Sequence, residues 1–264
     1  MTLPDRSQLS RITFVRGAGN PSLMTFAHPA LTRAVRTPLE SGSPPAGHDA
    51  LDLLTLEGTP KDHPGARAEL HAWASDATAI AATLPGAQIV WRPGRASILA
   101  TPDRMEPLLL ALVEFAFFEG ELRKLEVEID AAWPELETDT TLAYDVTAKD
   151  LERGAEIGAR VERMLQRRIR FARIETPLLQ TRPSLGSMAQ DLGERLRDKA
   201  RIESRMETLD GHLEVFEHVY EMGSQRIGET RASRKEQKLE WLIIILLAAE
   251  VLMLLLDLLW TLEV

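Results

Sequence analysis

Residues 238–264 read KLEWLIIILLAAEVLMLLLDLLWTLEV. From Trp241 to Trp260 every residue is apolar except Glu250 and Asp257. As a helix this stretch spans about 30 Å, the thickness of a bilayer core. Trp241 and Trp260 stand at the two ends, where interfacial indoles belong. Arg226, Arg231, Arg234, Lys235 and Lys238 precede the stretch and no basic residue follows it. The positive-inside rule then places the long N-terminal part in the cytoplasm. The stretch therefore predicts a single-pass, tail-anchored transmembrane helix over 239–262, in contact with the lipid bilayer of the plasma membrane. Thirteen Leu, Ile and Val residues favour insertion by about 0.3–0.6 kcal/mol each, and each acid near the centre opposes it by about 2.5–3.5 kcal/mol. Glu250 and Asp257 are seven apart and share one helix face, which suits a contact with a second copy. The same residues also read as a buried helix at the core of a soluble oligomer.

Upstream, the pattern predicts an α+β chain. Residues 1–100 form a small mixed head with β-like runs at 12–16, 51–56, 88–91 and 96–100. The last two flank Pro93-Gly94, a turn dipeptide, and suggest a hairpin. Residues 64–84 are Ala-rich and read as one helix, with Asp62 as its cap. Residues 37–48 carry Pro, Gly and Ser repeatedly and read as a loop.

Residues 101–238 change to long helices. Leu108, Leu109, Leu112, Phe115, Ala116, Glu119, Leu122 and Leu125 lie on or near one stripe of a helix over 105–129. A second helix covers 147–178, and Pro177, Pro183 and Gly186 mark the connection after it. Ile202, Met206, Leu209, Leu213, Phe216, Tyr220 and Ile227 take heptad-like positions. These features predict antiparallel helices, a helical hairpin or coiled coil, leading into the C-terminal span. No internal repeat or low-complexity tract is evident.

The chain has 264 residues, a net charge of −9 and no cysteine. Thiolate metal sites, thiol nucleophiles and disulfides are excluded. An acidic total with 5% aromatic residues argues against specific DNA binding and base-stacking surfaces. The N-terminus has neither a signal-peptide run nor a transit-peptide pattern. The six histidines are His28, His48, His63, His71, His212 and His218. None has metal-ligand spacing, and phosphate-loop, dinucleotide and nucleophile-elbow motifs are all missing. No catalytic, cofactor or metal residue is assigned. Residues 103–150 hold 13 acids and 4 bases; Glu119/Glu121 and Glu126/Glu128 fit a solvated face better than an acid–base pair.

The positive run is more informative. Arg160, Arg163, Arg167, Arg168, Arg170 and Arg173 crowd into one short stretch, opposed by Glu162. Arg163, Arg167, Arg168 and Arg170 form the candidate partner surface, for RNA or lipid phosphate. The other reading is pairing with the acidic 103–150 region.

The tail carries a family resemblance. Leu239, Glu240, Trp241, Ile243, Ile244, Ile245, Glu250 and Val251 occur in the order of a Leu-Glu-Trp, Ile-run, acid–Val signature. The chain in this respect resembles the "required for meiotic nuclear division" family. AQIVWRPGRASILA stands where that family has a hairpin, and the segments beginning MEPLLLALVEFAFF and ARVERMLQRRIRFAR stand at its two long helices. The family's histidine and serine in the first helix are missing here. The resemblance implies a membrane-anchored, self-associating, helix-rich protein without catalytic activity, and a protein or ribosome partner in support of translation. The leading expectation is a non-enzymatic scaffold or tether forming a homo-oligomer. The others are an enzyme with an N-terminal pocket and a soluble oligomer of helices.

Overall fold

The computed structural model describes residues 7–19, 22–40, 49–60, 64–74 and 76–262. The side chains at 64, 66, 67, 148, 149 and 254–262 lie outside that description. The strands are β1 (Gln8–Arg16), β2 (Met24–Phe26), β3 (Thr32–Pro38), β4 (Ala50–Glu57), β5 (Ile80–Leu84), β6 (Ala87–Arg92) and β7 (Arg95–Ala100). They form one mixed sheet in the order β2-β3-β1-β4-β7-β6-β5. Pairing is antiparallel except between β4 and β7, where Leu53 faces Ala96 in a parallel register.

The helices are α1 (Pro64–Ala74), α2 (Pro102–Asp130), α3 (Trp133–Asp139), α4 (Ala148–Glu152), α5 (Gly154–Leu179), α6 (Ser187–Lys199) and α7 (Ile202–Leu262). The chain divides into two compact units. One comprises Met1–Ala131 and Gln166–His212, the other Ala132–Leu165 and Leu213–Val264.

In the first unit the central strands are buried on both faces, and so β4, β6 and β7 read as nearly continuous apolar runs. On one face Leu54, Leu56 and Leu99 pack with Leu70 of α1. On the other, Trp91 meets Phe115 of α2 edge-on at 4.9 Å. Helix α2 begins after an extended Thr101, with Pro102 at its first position and Asp103 in its first turn, a favourable start. It is apolar on most of its circumference because it packs against both the sheet and α6. Phe26 stacks on Phe117 at 4.0 Å, and Phe14 lies 5.2 Å from Phe117.

In the second unit Leu142, Ile157 and Ile227 form a small core with Val146, Leu151 and Val161 against it. Trp133 meets Phe216 at 5.1 Å. Gly223 of α7 allows a close approach: a Cβ there would stand 3.1 Å from Leu142 Cβ.

The α+β class and the hairpin at Pro93-Gly94 match the sequence reading; Arg92 pairs with Arg95, and Gly94 takes a positive φ of 76°. Three expectations are corrected. The first concerns the head. The helix over 64–84 ends at Ala74, and β5 follows, closing on β6 through Gly86 with φ 72°. Thr37 and Pro38 belong to β3 rather than to a loop; the rest of that segment at 41–48, together with Asp62, His48 and His63, lies outside the described residues.

The second correction concerns the helices, which do not form a hairpin or coiled coil. Among them the close backbone pair is α2 with α6. The heptad-like residues of α7 serve two separate cores, since Ile202, Met206 and Leu209 belong to one unit and Phe216 and Ile227 to the other.

The third is the membrane span. Among the described residues no helix is long and apolar enough to cross a membrane. The single-pass span bounded by Trp241 and Trp260, its tail anchoring, its plasma-membrane location and the orientation drawn from Arg231, Arg234, Lys235 and Lys238 are withdrawn accordingly. The side chains of Asp257 and Trp260 lie outside the described residues.

Candidate functional site

Helix α7 continues past its last buried residue among those described, Ile227, and Arg231 still reaches Gly154 of α5. Every residue from 231 to 253 is exposed. This run includes Arg231, Arg234, Lys235 and Lys238, then Leu239 at 61%, Trp241 at 65% and Met253 at 70% exposure. Consecutive helical residues advance by about 100°, so residues 241–249, all apolar, cover the whole circumference. Glu250 interrupts the run before Val251, Leu252 and Met253. A helix apolar on all sides is a helix to be covered.

The arginines of α5 are individually engaged. Arg163 donates to Glu135 at 3.2 Å, and Arg160 to Asp139, which is fully buried. Arg170 donates to both oxygens of Glu128 at 2.8 and 2.9 Å, and Arg167 stands 3.8 Å from the same carboxylate. Arg168 donates to Asp210 and lies over the Phe171 ring. The candidate partner surface is thus threaded with acids, most of them from the 103–150 region. Asp139 also accepts from Arg153 and from the Tyr220 hydroxyl, each at 3.5 Å. Burial, and then the Asp139 charge, raises the Tyr220 pKa.

Glu119 departs from the solvated face expected of it. It is 2% exposed and accepts from Arg123 at 2.5 Å and Arg205 at 3.0 Å. Arg205 reaches it from α7 while also gripping Glu126 at 2.8 and 2.7 Å. Glu121 accepts from Lys124 at 2.8 Å, and Lys124 donates to Asp49 at 2.5 Å as well. Burial pulls the Lys124 pKa down, but these two hydrogen bonds outweigh it and hold it above the ordinary lysine value. The signal for the buried Glu119 was its place on the apolar stripe of α2.

Among the described residues no cluster of three or more His, Asp or Glu is placed to hold a metal ion. No protein-family model matches the chain, and no curated protein is significantly similar to it.

Proposed function

We propose that this protein is a self-associating, non-enzymatic assembly protein whose copies join through the apolar part of α7. The observation that supports the reading is the unbroken exposure of residues 239–253. A helical cylinder about 11 Å across and about 20 Å long has roughly 700 Å² of lateral surface. That is close to the roughly 800 Å² per partner of a stable protein interface. Covering about half of it yields about 9 kcal/mol per chain at about 25 cal/mol/Å², before an association cost of about 4–15 kcal/mol.

A second copy is the occupant that offers a matching apolar run. An antiparallel overlap centred near Leu247 sets the apolar run 241–249 of one copy against the same run of the other. Self-association is also what the tail's family resemblance implies. Joined copies present repeated head surfaces to a protein or ribosomal partner, and multivalency raises its effective concentration.

Sedimentation velocity on the full chain tests the reading. The natural chain is expected to sediment as an oligomer, and the I245E/L246E variant as a 29.5 kDa monomer. A natural chain that is monomeric at micromolar concentration, or a variant that stays oligomeric, overturns it.

A further inference from the structure

A cavity of about 520 Å³ opens between the sheet and α2 within the first unit. Phe14 of β1, Leu51 of β4 and Trp91 of β6 form its sheet wall, and Val127 adds an apolar patch from the helix. The space exists because α2 places Ala116 and Gly120, four apart, towards it. Larger side chains at these two positions would fill the gap. A Cβ added at Gly120 would meet nothing within 4 Å.

The rim is charged but selective. Lys124 is held by Asp49 and Glu121, and Glu128 by Arg170. Glu119 in the wall is held by Arg205 as well as Arg123. Arg123 therefore commits one amino group to a carboxylate that already has a second cation. Its Nε and Nη1 have no partner among the described residues, and its side chain is 40% exposed at the cavity. In the wall itself, the Trp91 Nε1 is buried with no hydrogen-bond partner among the described residues. This nitrogen is closed to the cavity as well, so the Trp91 ring offers a guest its apolar atoms only.

We propose that this cavity binds a small apolar monocarboxylic acid, with its hydrocarbon or aromatic body against Phe14, Leu51, Trp91 and Val127 and its carboxylate on Arg123. The volume lies in the usual range for small-molecule sites of about 300–1,000 Å³, which are apolar with a few placed polar groups. A guanidinium N–H not committed to Glu119 can donate a charge-assisted hydrogen bond to a carboxylate. Polyphosphates are disfavoured, because the other rim cation, Lys124, is already doubly paired. This inference concerns the sheet–helix cavity alone and does not depend on how copies join through α7.

Isothermal titration of the full chain with 1-naphthoate and with the uncharged 1-naphthamide provides the test. Naphthoate is expected to bind saturably at one site per chain, at least tenfold more tightly than the amide. Gly120→Leu, which grows into the open space, is expected to abolish binding with the fold retained by circular dichroism; Ala116→Leu serves where the first variant fails to fold. Arg123→Gln is expected to remove the preference for the acid. The I245E/L246E variant is expected to bind as the natural chain does. Equal affinity for acid and amide, no saturable binding, or binding that survives both cavity-filling variants overturns the proposal. The last result would place the probe on exposed α7 instead.

Discussion

Glu119 and Glu128 are both glutamates of α2 that accept from arginines, yet they stand in different surroundings. Glu128 is partly exposed, and an exposed pair contributes about 0.2–1 kcal/mol. Glu119 has almost no water to fall back on, and stripping a buried charge of its partners costs about 3–5 kcal/mol. R170A is therefore expected to lower unfolding stability by under about 1 kcal/mol, and the R123A/R205A double variant by about 3–5 kcal/mol. Urea denaturation of the two variants measures the difference; equal losses would show Glu119 to be hydrated. Residue chemistry of this kind was only half legible in the sequence. The stripe that includes Leu112, Glu119 and Leu122 marks position 119 as inward-facing, but its cations come from α2 itself and, 86 residues further on, from α7.

Two helix features give predictions at the scale of the element. Gly193 in α6 lies where an added Cβ would be 1.8 Å from Thr181 Oγ1, a hydroxyl that accepts from Arg197. Gly211 in α7 has open space instead. G193A is expected to destabilise by about 1–3 kcal/mol through overpacking, while G211A stabilises by about 0.5–1 kcal/mol through helix propensity. Thermal denaturation should show opposite signs, and like signs would refute the packing argument.

At the start of α4, Asp150 accepts from the Thr147 backbone N–H at 2.8 Å and its hydroxyl at 2.6 Å. These hydrogen bonds, the hydroxyl's first, lower the Asp150 pKa. The folded form is the more acidic, so the added stability is present above the ordinary aspartate pKa and is lost as pH falls through the lowered one. D150A should cost about 0.5–2 kcal/mol at pH 7 and progressively less on acidification, as pH-dependent unfolding would record.

Element types were read well where one neighbour decided them. The 51–56 strand and the hairpin at Pro93-Gly94 depend on local pattern and a turn residue. The stretch 64–84 divides because alanine by itself favours a helix, and pairing of Ala82 with Ile89 overrides that preference in β5. β2 and the start of β3 escaped notice because their two faces differ little: β3 reads TRAVRTP, with Thr32 and Ala34 buried. Heptad-like spacing in α7 reflected burial correctly and its partner incorrectly, since a spacing records which face is covered and not what covers it.

For the molecule as a whole, the lack of cysteine makes single-cysteine variants clean reporters of how copies meet. An antiparallel overlap centred near Leu247 brings the two Leu247 residues together. At about 1.5 Å of rise per residue it separates the two Leu239 residues by about 24 Å along the helices. L247C is expected to cross-link efficiently under oxidation and L239C poorly. Equal cross-linking would instead indicate a parallel arrangement. The apolar tail is the most conspicuous stretch of the sequence, and its pattern marks a surface to be covered without naming what covers it.

The chain passes between its two units three times: out of the first after Ala131, back at Gln166, and out again after His212. Synthesis runs in one direction, at about 5–20 residues per second. The sheet and α2 leave the ribosome well before α6, the helix that packs on α2. The stretch from Ala131 to Lys199, the end of α6, takes about 3–14 s to add. For that interval the nascent chain carries Leu108, Leu112 and their neighbours with one side uncovered, and the cell must shield that surface in time rather than in space.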